Sequence, residues 1–175
     1  MIKQLFSAFL FLSLLSCNKE NKEINNELSE IIGKKIELID SLSYYSQKKG
    51  FFKKQQDNSI KIVTYIDGGC GSCLYNLEKW KELMKAPELK NVCFLFYIKV
   101  YEKKQVSELI SEIDFTYPII ADLSNQFYEV NRLKSDKNYQ TFLVDKENKI
   151  VLVGNPLYSR KIMKLYFETI SKINK

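Results

Sequence analysis

The sequence predicts an α/β domain, a mixed sheet flanked by helices with a strand–helix insertion before a C-terminal hairpin. Three observations carry this. Strand-like and helix-period segments alternate from Ile60 onward, which calls for helices packed on a mostly parallel sheet. Residues 92–100 form an almost continuous apolar and aromatic run, as expected of a central strand buried on both faces. Thr141-Phe142-Leu143-Val144-Asp145 and Ile150-Val151-Leu152-Val153 are separated by a four-residue polar link, which adds antiparallel strands at the end.

Each element has its own signal. Gly33-Lys34-Lys35-Ile36-Glu37-Leu38 reads as an extended segment entering the domain. Residues 41–54 are ambiguous, with Tyr44, Tyr45, Phe51 and Phe52 suited to covering a sheet edge. Residues 60–66 read as a strand. Leu74, Leu77, Trp80, Leu83 and Met84 then recur at helical spacing until Pro87. Val106, Leu109, Ile110 and Ile113 predict a short helix. Residues 117–121 predict a short strand, with Pro118 at its start, where a missing N–H does least harm. Phe127, Val130 and Leu133 suggest a further helix. Asn148 tolerates the positive φ that a tight hairpin link needs. Asn155-Pro156 ends the hairpin. Ile162, Leu165, Tyr166, Thr169, Ile170 and Ile173 give a closing amphipathic helix.

The N-terminus reads as a targeting segment. Lys3 precedes an apolar run over residues 5–15, too short for a bilayer span of about 20 residues and typical of a secretory signal. The run ends in Leu14-Leu15-Ser16-Cys17, which resembles the lipobox of bacterial lipoproteins. That resemblance implies a signal peptide over 1–16 and lipidation of Cys17. The competing reading is an ordinary signal peptide with an incidental cysteine. Residues 18–27 are too polar to order themselves, so 17–32 read as anchor and tether and 33–175 as the domain. The expected location is the cell envelope on the periplasmic side. Asn18, in place of the Asp that retains lipoproteins at the inner membrane, leans towards the outer membrane.

Composition excludes several chemistries. The chain has no histidine, so Ser-His-Asp and Cys-His nucleophiles cannot be built. Leu74 after Cys73 rules out a Cys-x-x-Cys-His haem attachment. With Cys17 lipidated, Cys70, Cys73 and Cys93 are too few for a structural zinc site, and no metal or cofactor is expected. The net charge of +6 comes from lysines scattered among acidic residues. This predicts a solvated surface with weak attraction to anionic lipid, and no nucleic-acid partner.

Cys70-Gly71-Ser72-Cys73 follows a strand and opens a helix. Unpaired N–H groups and the dipole at a helix N-terminus favour a thiolate at the first cysteine, the form that attacks disulfides. An exported chain can hold the pair as a disulfide. Cys93 lies in an apolar run and reads as a buried, inert thiol.

Strand, Cys-x-x-Cys, helix and the late Thr-Phe-Leu-Val-Asp hairpin together resemble the thioredoxin-like fold. The strand–helix insertion and the anchor are similar to its extracytoplasmic TlpA-type branch. The likeness covers roughly residues 33–175. It implies a membrane-tethered thiol–disulfide oxidoreductase whose partners are protein thiols or disulfides of the envelope. Cys70 would attack, Cys73 would resolve, and Gly71 and Ser72 would tune the potential. Gly69, Gln140 and Thr141 would edge the substrate groove.

Three departures from the family pattern stand out. Gln140 occupies the place of a usual cis-proline, so a trans bond is expected before it. Gly69 replaces a frequent tryptophan. Thr64 stands where many members carry a buried acid, while Asp67 reads as a turn residue capping the loop. Gln140 and the missing acid favour the alternative, a binding or structural lipoprotein stapled by Cys70–Cys73. A peroxidase of the peroxiredoxin type lacks its motif around Cys70.

Overall fold

The structure is a computed structural model and describes residues 28–45, 59–112, 115 and 117–174. Its frame is set by strands with no polar face. β2 (Lys61–Asp67) and β3 (Cys93–Lys99) are buried over six of their seven residues each and run parallel, from Lys61 opposite Cys93 to Asp67 opposite Lys99. Such runs suit strands covered on both sides. With β1 (Ser43–Tyr45), β4 (Ile119–Asp122), β5 (Thr141–Val144) and β6 (Ile150–Val153) they form one sheet of order β1-β4-β3-β2-β5-β6. β2, β3 and β4 are parallel, whereas β1, β5 and β6 each pair antiparallel. The expected mixed sheet with its strand–helix insertion and closing hairpin is therefore present.

Because side chains alternate along a strand, the sheet separates two cores. Ile62, Ile66, Phe94, Phe96, Ile98 and Leu143 face one side, where α1 (Gly71–Leu83) lays Leu77 and Trp80 and α4 (Arg160–Ile173) lays Tyr166 and Ile170. Trp80 meets Phe94 and Phe96 edge-on, at centroid distances of 6.1 and 5.7 Å. Tyr166 donates its hydroxyl to the Gly154 carbonyl at 2.8 Å. Val63, Tyr65, Leu95, Tyr97, Phe142 and Val144 face the other side, covered by Ile36, Ile39 and Phe127.

The remaining elements show where local signals were enough. Ile36 donates to the Asn148 carbonyl and Lys35 bridges Lys149, so the entering segment lies along the hairpin. The ambiguous stretch supplies edge strand β1, while Phe51 and Phe52 lie outside the described residues. Asn148 takes φ 62°. α2 (Lys103–Glu112) starts three residues before Val106, the first of its apolar repeat. α3 (Gln126–Val130) is shorter than the spacing of Phe127, Val130 and Leu133 implies. Arg132 sits in the left-handed region at φ 49°, which ends the helix before Leu133 and leaves Val130 exposed. Asp122 at the end of β4 anchors α3, accepting from the Gln126 and Phe127 N–H groups at 2.8 Å each. Residues 1–27, with the expected signal and Cys17, lie outside the described residues.

Burial makes the fold sensitive to alkali. Burial pushes the Cys93 thiol from 9.0 to about 11 and the Tyr117 hydroxyl from 10.0 to about 12. Tyr65, Tyr97 and Tyr166 are raised by the same cause. Above pH 9 the unfolded chain sheds these protons first, so it binds fewer protons than the folded chain and stability falls as pH rises. The urea midpoint should therefore decline between pH 9 and 11. A Cys93→Ala variant should delay the onset to near pH 10, where the tyrosines begin to contribute.

Candidate active site

The site begins where β2 runs out. The Gly68 N–H donates to the Lys99 carbonyl at 2.9 Å, continuing the β2–β3 ladder by one residue. A Cβ at Gly68 would collide with that same carbonyl, so only glycine allows the approach. Asp67 then closes the turn. Its Oδ1 accepts from Gly69 N–H at 2.9 Å, and its carbonyl accepts from Cys70 N–H at 3.1 Å. Asp67 is thus the loop-capping residue its position implied. The Gln105 amide donates to the Gly68 carbonyl at 3.0 Å from the other side. Gly69 faces the Tyr101 ring and not the cysteine cavity described below.

Cys70 is the N-cap of α1, with extended backbone. Its carbonyl accepts from Cys73 and Leu74 N–H at 2.9 and 3.1 Å. Cys70 and Cys73 form a disulfide with a Cα–Cα separation of 5.2 Å. Cys70 is half-buried, whereas Cys73 is only 8% exposed, so one sulfur faces solvent and the other faces the core. Gly71 and Ser72 are exposed between them. The disulfide sulfur of Cys70 carries no hydrogen, so the Ser72 hydroxyl, 3.3 Å away, donates to it. The Lys137 ammonium donates to the same sulfur at 3.2 Å.

Behind Cys73 lies a cavity of about 30 Å³, lined by Thr64, Trp80, Lys137, Gln140, Thr141 and Tyr158 among others. Thr64 and Thr141 are buried and share a 2.8 Å hydroxyl–hydroxyl hydrogen bond across the β2–β5 pair. Thr64 therefore sits in a neutral pair, with no acid at this position. The peptide bond before Gln140 is trans. The Gln140 carbonyl accepts from Tyr65 N–H at 2.9 Å, and its side-chain amide donates to the Lys134 and Ser135 carbonyls at 3.0 and 3.3 Å.

Some residues fall elsewhere. Tyr128 packs on Tyr65 in the far core and Tyr139 lies under the Lys134 ammonium, so neither edges this cavity. Tyr158 does, held by Asn76 at 3.0 Å. Tyr158, Asn76 and Lys137 were not singled out from the sequence. The one available signal for Lys137 is its place three residues before Gln140. Cys93 is 3% exposed and its thiol is held neutral by burial. Among the described residues, no three of His, Cys, Asp and Glu cluster as metal ligands would.

No family model and no curated protein matches the chain. Solved structures do. A Chlorobium tepidum protein assigned as the thiol:disulfide interchange protein DsbE is 12% identical, with a TM-score of 0.61 over 79% of this chain and 97% of its own. A thiol-disulfide isomerase from Corynebacterium glutamicum is 14% identical, with a TM-score of 0.59 over 79% and 96%. The exposed lipoprotein thioredoxin Etrx1 of Streptococcus pneumoniae is 16% identical, with a TM-score of 0.51 over 66% and 88%. The chain has the thioredoxin-like fold. Within that fold the Cys70–Cys73 pair occupies the junction of a central strand and the helix that follows it.

The two glycines flanking this junction should behave oppositely. Gly68→Ala drives a methyl group into the Lys99 backbone and should lower stability by about 1–3 kcal/mol. Gly71→Ala meets nothing within 4 Å and should leave the urea midpoint unchanged or slightly raised.

Proposed function

We propose that this protein is a thiol–disulfide oxidoreductase acting on protein thiols or disulfides. The observation that carries the reading is the asymmetry of its disulfide: a half-buried sulfur at a helix N-cap bonded to a buried sulfur one turn on. In the reducing direction the Cys70 thiolate attacks one sulfur of a partner disulfide. A Cys70–partner bond forms, the partner's S–S bond breaks, and one partner thiolate leaves. The Cys73 thiolate then attacks Cys70 Sγ, re-forms the Cys70–Cys73 bond and releases the second partner thiol. Two electrons pass from the dithiol to the partner, and the dithiol's two protons end on the released thiols. The oxidising direction reverses each step.

The burial pattern suits this division of labour. An incoming disulfide reaches Cys70 and not Cys73. In a Cys73→Ala variant the mixed disulfide cannot resolve, so cell-envelope proteins should accumulate on Cys70, visible by non-reducing electrophoresis and identified by mass spectrometry. Adding Cys70→Ala should abolish the adducts. Failure to trap anything, with no reduction of a protein disulfide in vitro, would remove the proposal.

We further propose that Cys17 carries a lipid anchor that places the domain on the periplasmic side of the envelope, at the outer membrane. Support comes from the apolar run over 5–15, the Leu-Ser-Cys ending and Asn18, and a fold neighbour is itself an exposed lipoprotein. Labelled palmitate should enter the wild-type protein and not a Cys17→Ala variant.

The second reading is a stapled binding module, favoured by the trans bond before Gln140 and the Thr64–Thr141 pair. The reduction potential separates the two. An exchanging pair should fall between about −120 and −270 mV, and a permanent staple below about −300 mV.

A further inference from the structure

We propose that Lys137 is a catalytic residue of this site, holding the Cys70 thiolate by direct contact, and that Gln140 is the positioning residue that presents it. The inference rests on the exchange reading above and assigns its electrostatics.

The geometry around Lys137 is built from the backbone outward. Residues Lys137–Tyr139 form a short 3-10 turn directly before β5. Asp136 caps it, accepting from Asn138 N–H at 2.9 Å, and Gln140 N–H closes it on the Lys137 carbonyl at 3.3 Å. The loop is then tied from within by Gln140. Its amide reaches back to the Lys134 and Ser135 carbonyls, while its own carbonyl is fixed to β2 at Tyr65. Gln140 is only 9% exposed, so these bonds are sheltered. The loop delivers the Lys137 ammonium to 3.2 Å from Cys70 Sγ. Among the described residues that ammonium pairs with no carboxylate, and Asp136 is engaged at the turn.

A proline at position 140 has no side-chain amide and no backbone N–H, so it could tie neither end of this loop. Glutamine supplies both. The departure from the family pattern is therefore the device that orders Lys137.

The chemical consequence follows from charge. A neutral disulfide sulfur gains little from an ammonium at 3.2 Å, whereas a thiolate gains a charge-assisted hydrogen bond. Lys137 thus stabilises the reduced, ionised form over the disulfide. It takes no part in electron transfer. The other ionisable groups around the loop are Lys134, Asp136 and Tyr139 on the loop itself, Asp67 and Lys99 at the neighbouring ends of β2 and β3, and Tyr65, Tyr101, Tyr158 and, in the reduced protein, Cys73. All are retained in the variants below and cancel in the comparison.

The test uses the reduced, folded protein and two readouts: thiolate absorbance against pH, and the rate at which iodoacetamide alkylates Cys70 at pH 6. Lys137→Met should move the thiolate midpoint upward and slow alkylation about five- to tenfold, while Lys137→Arg should keep most of the rate. Gln140→Met should lose part of the rate, and in the double variant it should remove nothing beyond Lys137→Met alone. High salt should slow the wild type more than it slows Lys137→Met, in which only the helix terminus remains to be screened. Equilibration with glutathione should show Lys137→Met to be more reducing by up to tenfold, about 30 mV. Because Lys137 is exposed, its variants should fold, so they decide the matter even if Gln140→Met does not. A Lys137→Met protein with the wild-type alkylation profile and salt response overturns the inference and leaves the exchange reading standing. A wild-type pair that never equilibrates with glutathione overturns the exchange reading, whatever the alkylation profile shows.

Discussion

The site depends on one backbone contact, the hydrogen bond from Gly68 to Lys99. It is the last rung of the parallel β2–β3 ladder, and it is possible only because residue 68 has no side chain. Past that rung β2 can no longer pair, and Asp67 folds the chain over so that Cys70 becomes the first residue of α1. The cysteine therefore reaches a helix N-terminus because a central strand ends there. The same β2 carries Thr64 and Tyr65, which hold β5 and the segment before it. Both walls of the cavity behind Cys73 thus refer to one strand.

The two cores explain the contrast between the sulfurs. α1 must bury Leu77 and Trp80 against Phe94 and Phe96, which fixes its rotation about its own axis. Cys73, Leu77 and Trp80 follow one another at spacings of four and three, so they share one helix face. Cys73 is carried inward with the packing residues, while Cys70, at the cap, stays at the rim. An outward sulfur and a sheltered one are consequences of helix geometry applied to a Cys-x-x-Cys spacing.

Much of this was legible because it is local. The β2 and β3 runs show no polar alternation, and only strands covered on both faces tolerate that composition. Cys70-Gly71-Ser72-Cys73 announces itself between a strand and a helical repeat, and Asn148 marks the hairpin link. What was not legible depends on tertiary approach. Residues 43–45 form a three-residue strand, too short for any periodicity to register. Leu133 fitted the helical spacing of Phe127 and Val130, but the left-handed turn at Arg132 broke the helix first. Lys137 is an exposed lysine in a polar loop of a lysine-rich chain. Only the antiparallel β5–β2 pairing brings it from 67 residues away to Cys70.

Two contributions act on the Cys70 sulfur, and their magnitudes decide how the site should be understood. A helix N-terminus stabilises a nearby negative charge by about 0.3–1 kcal/mol when exposed and up to about 2 kcal/mol when partly buried. Two unit charges about 4 Å apart attract by roughly 1 kcal/mol in bulk water and more where water is partly excluded. The two are comparable, so neither the helix nor the lysine alone determines how electron-rich the sulfur becomes. They differ in origin. The helix term is fixed once α1 docks on the sheet through Leu77 and Trp80. The lysine term exists only while the loop before β5 is closed by Gln140. A thioredoxin-like fold can therefore hold its Cys-x-x-Cys helix constant and still change the chemistry of the first cysteine, by changing what residue 140 does for the loop beside it.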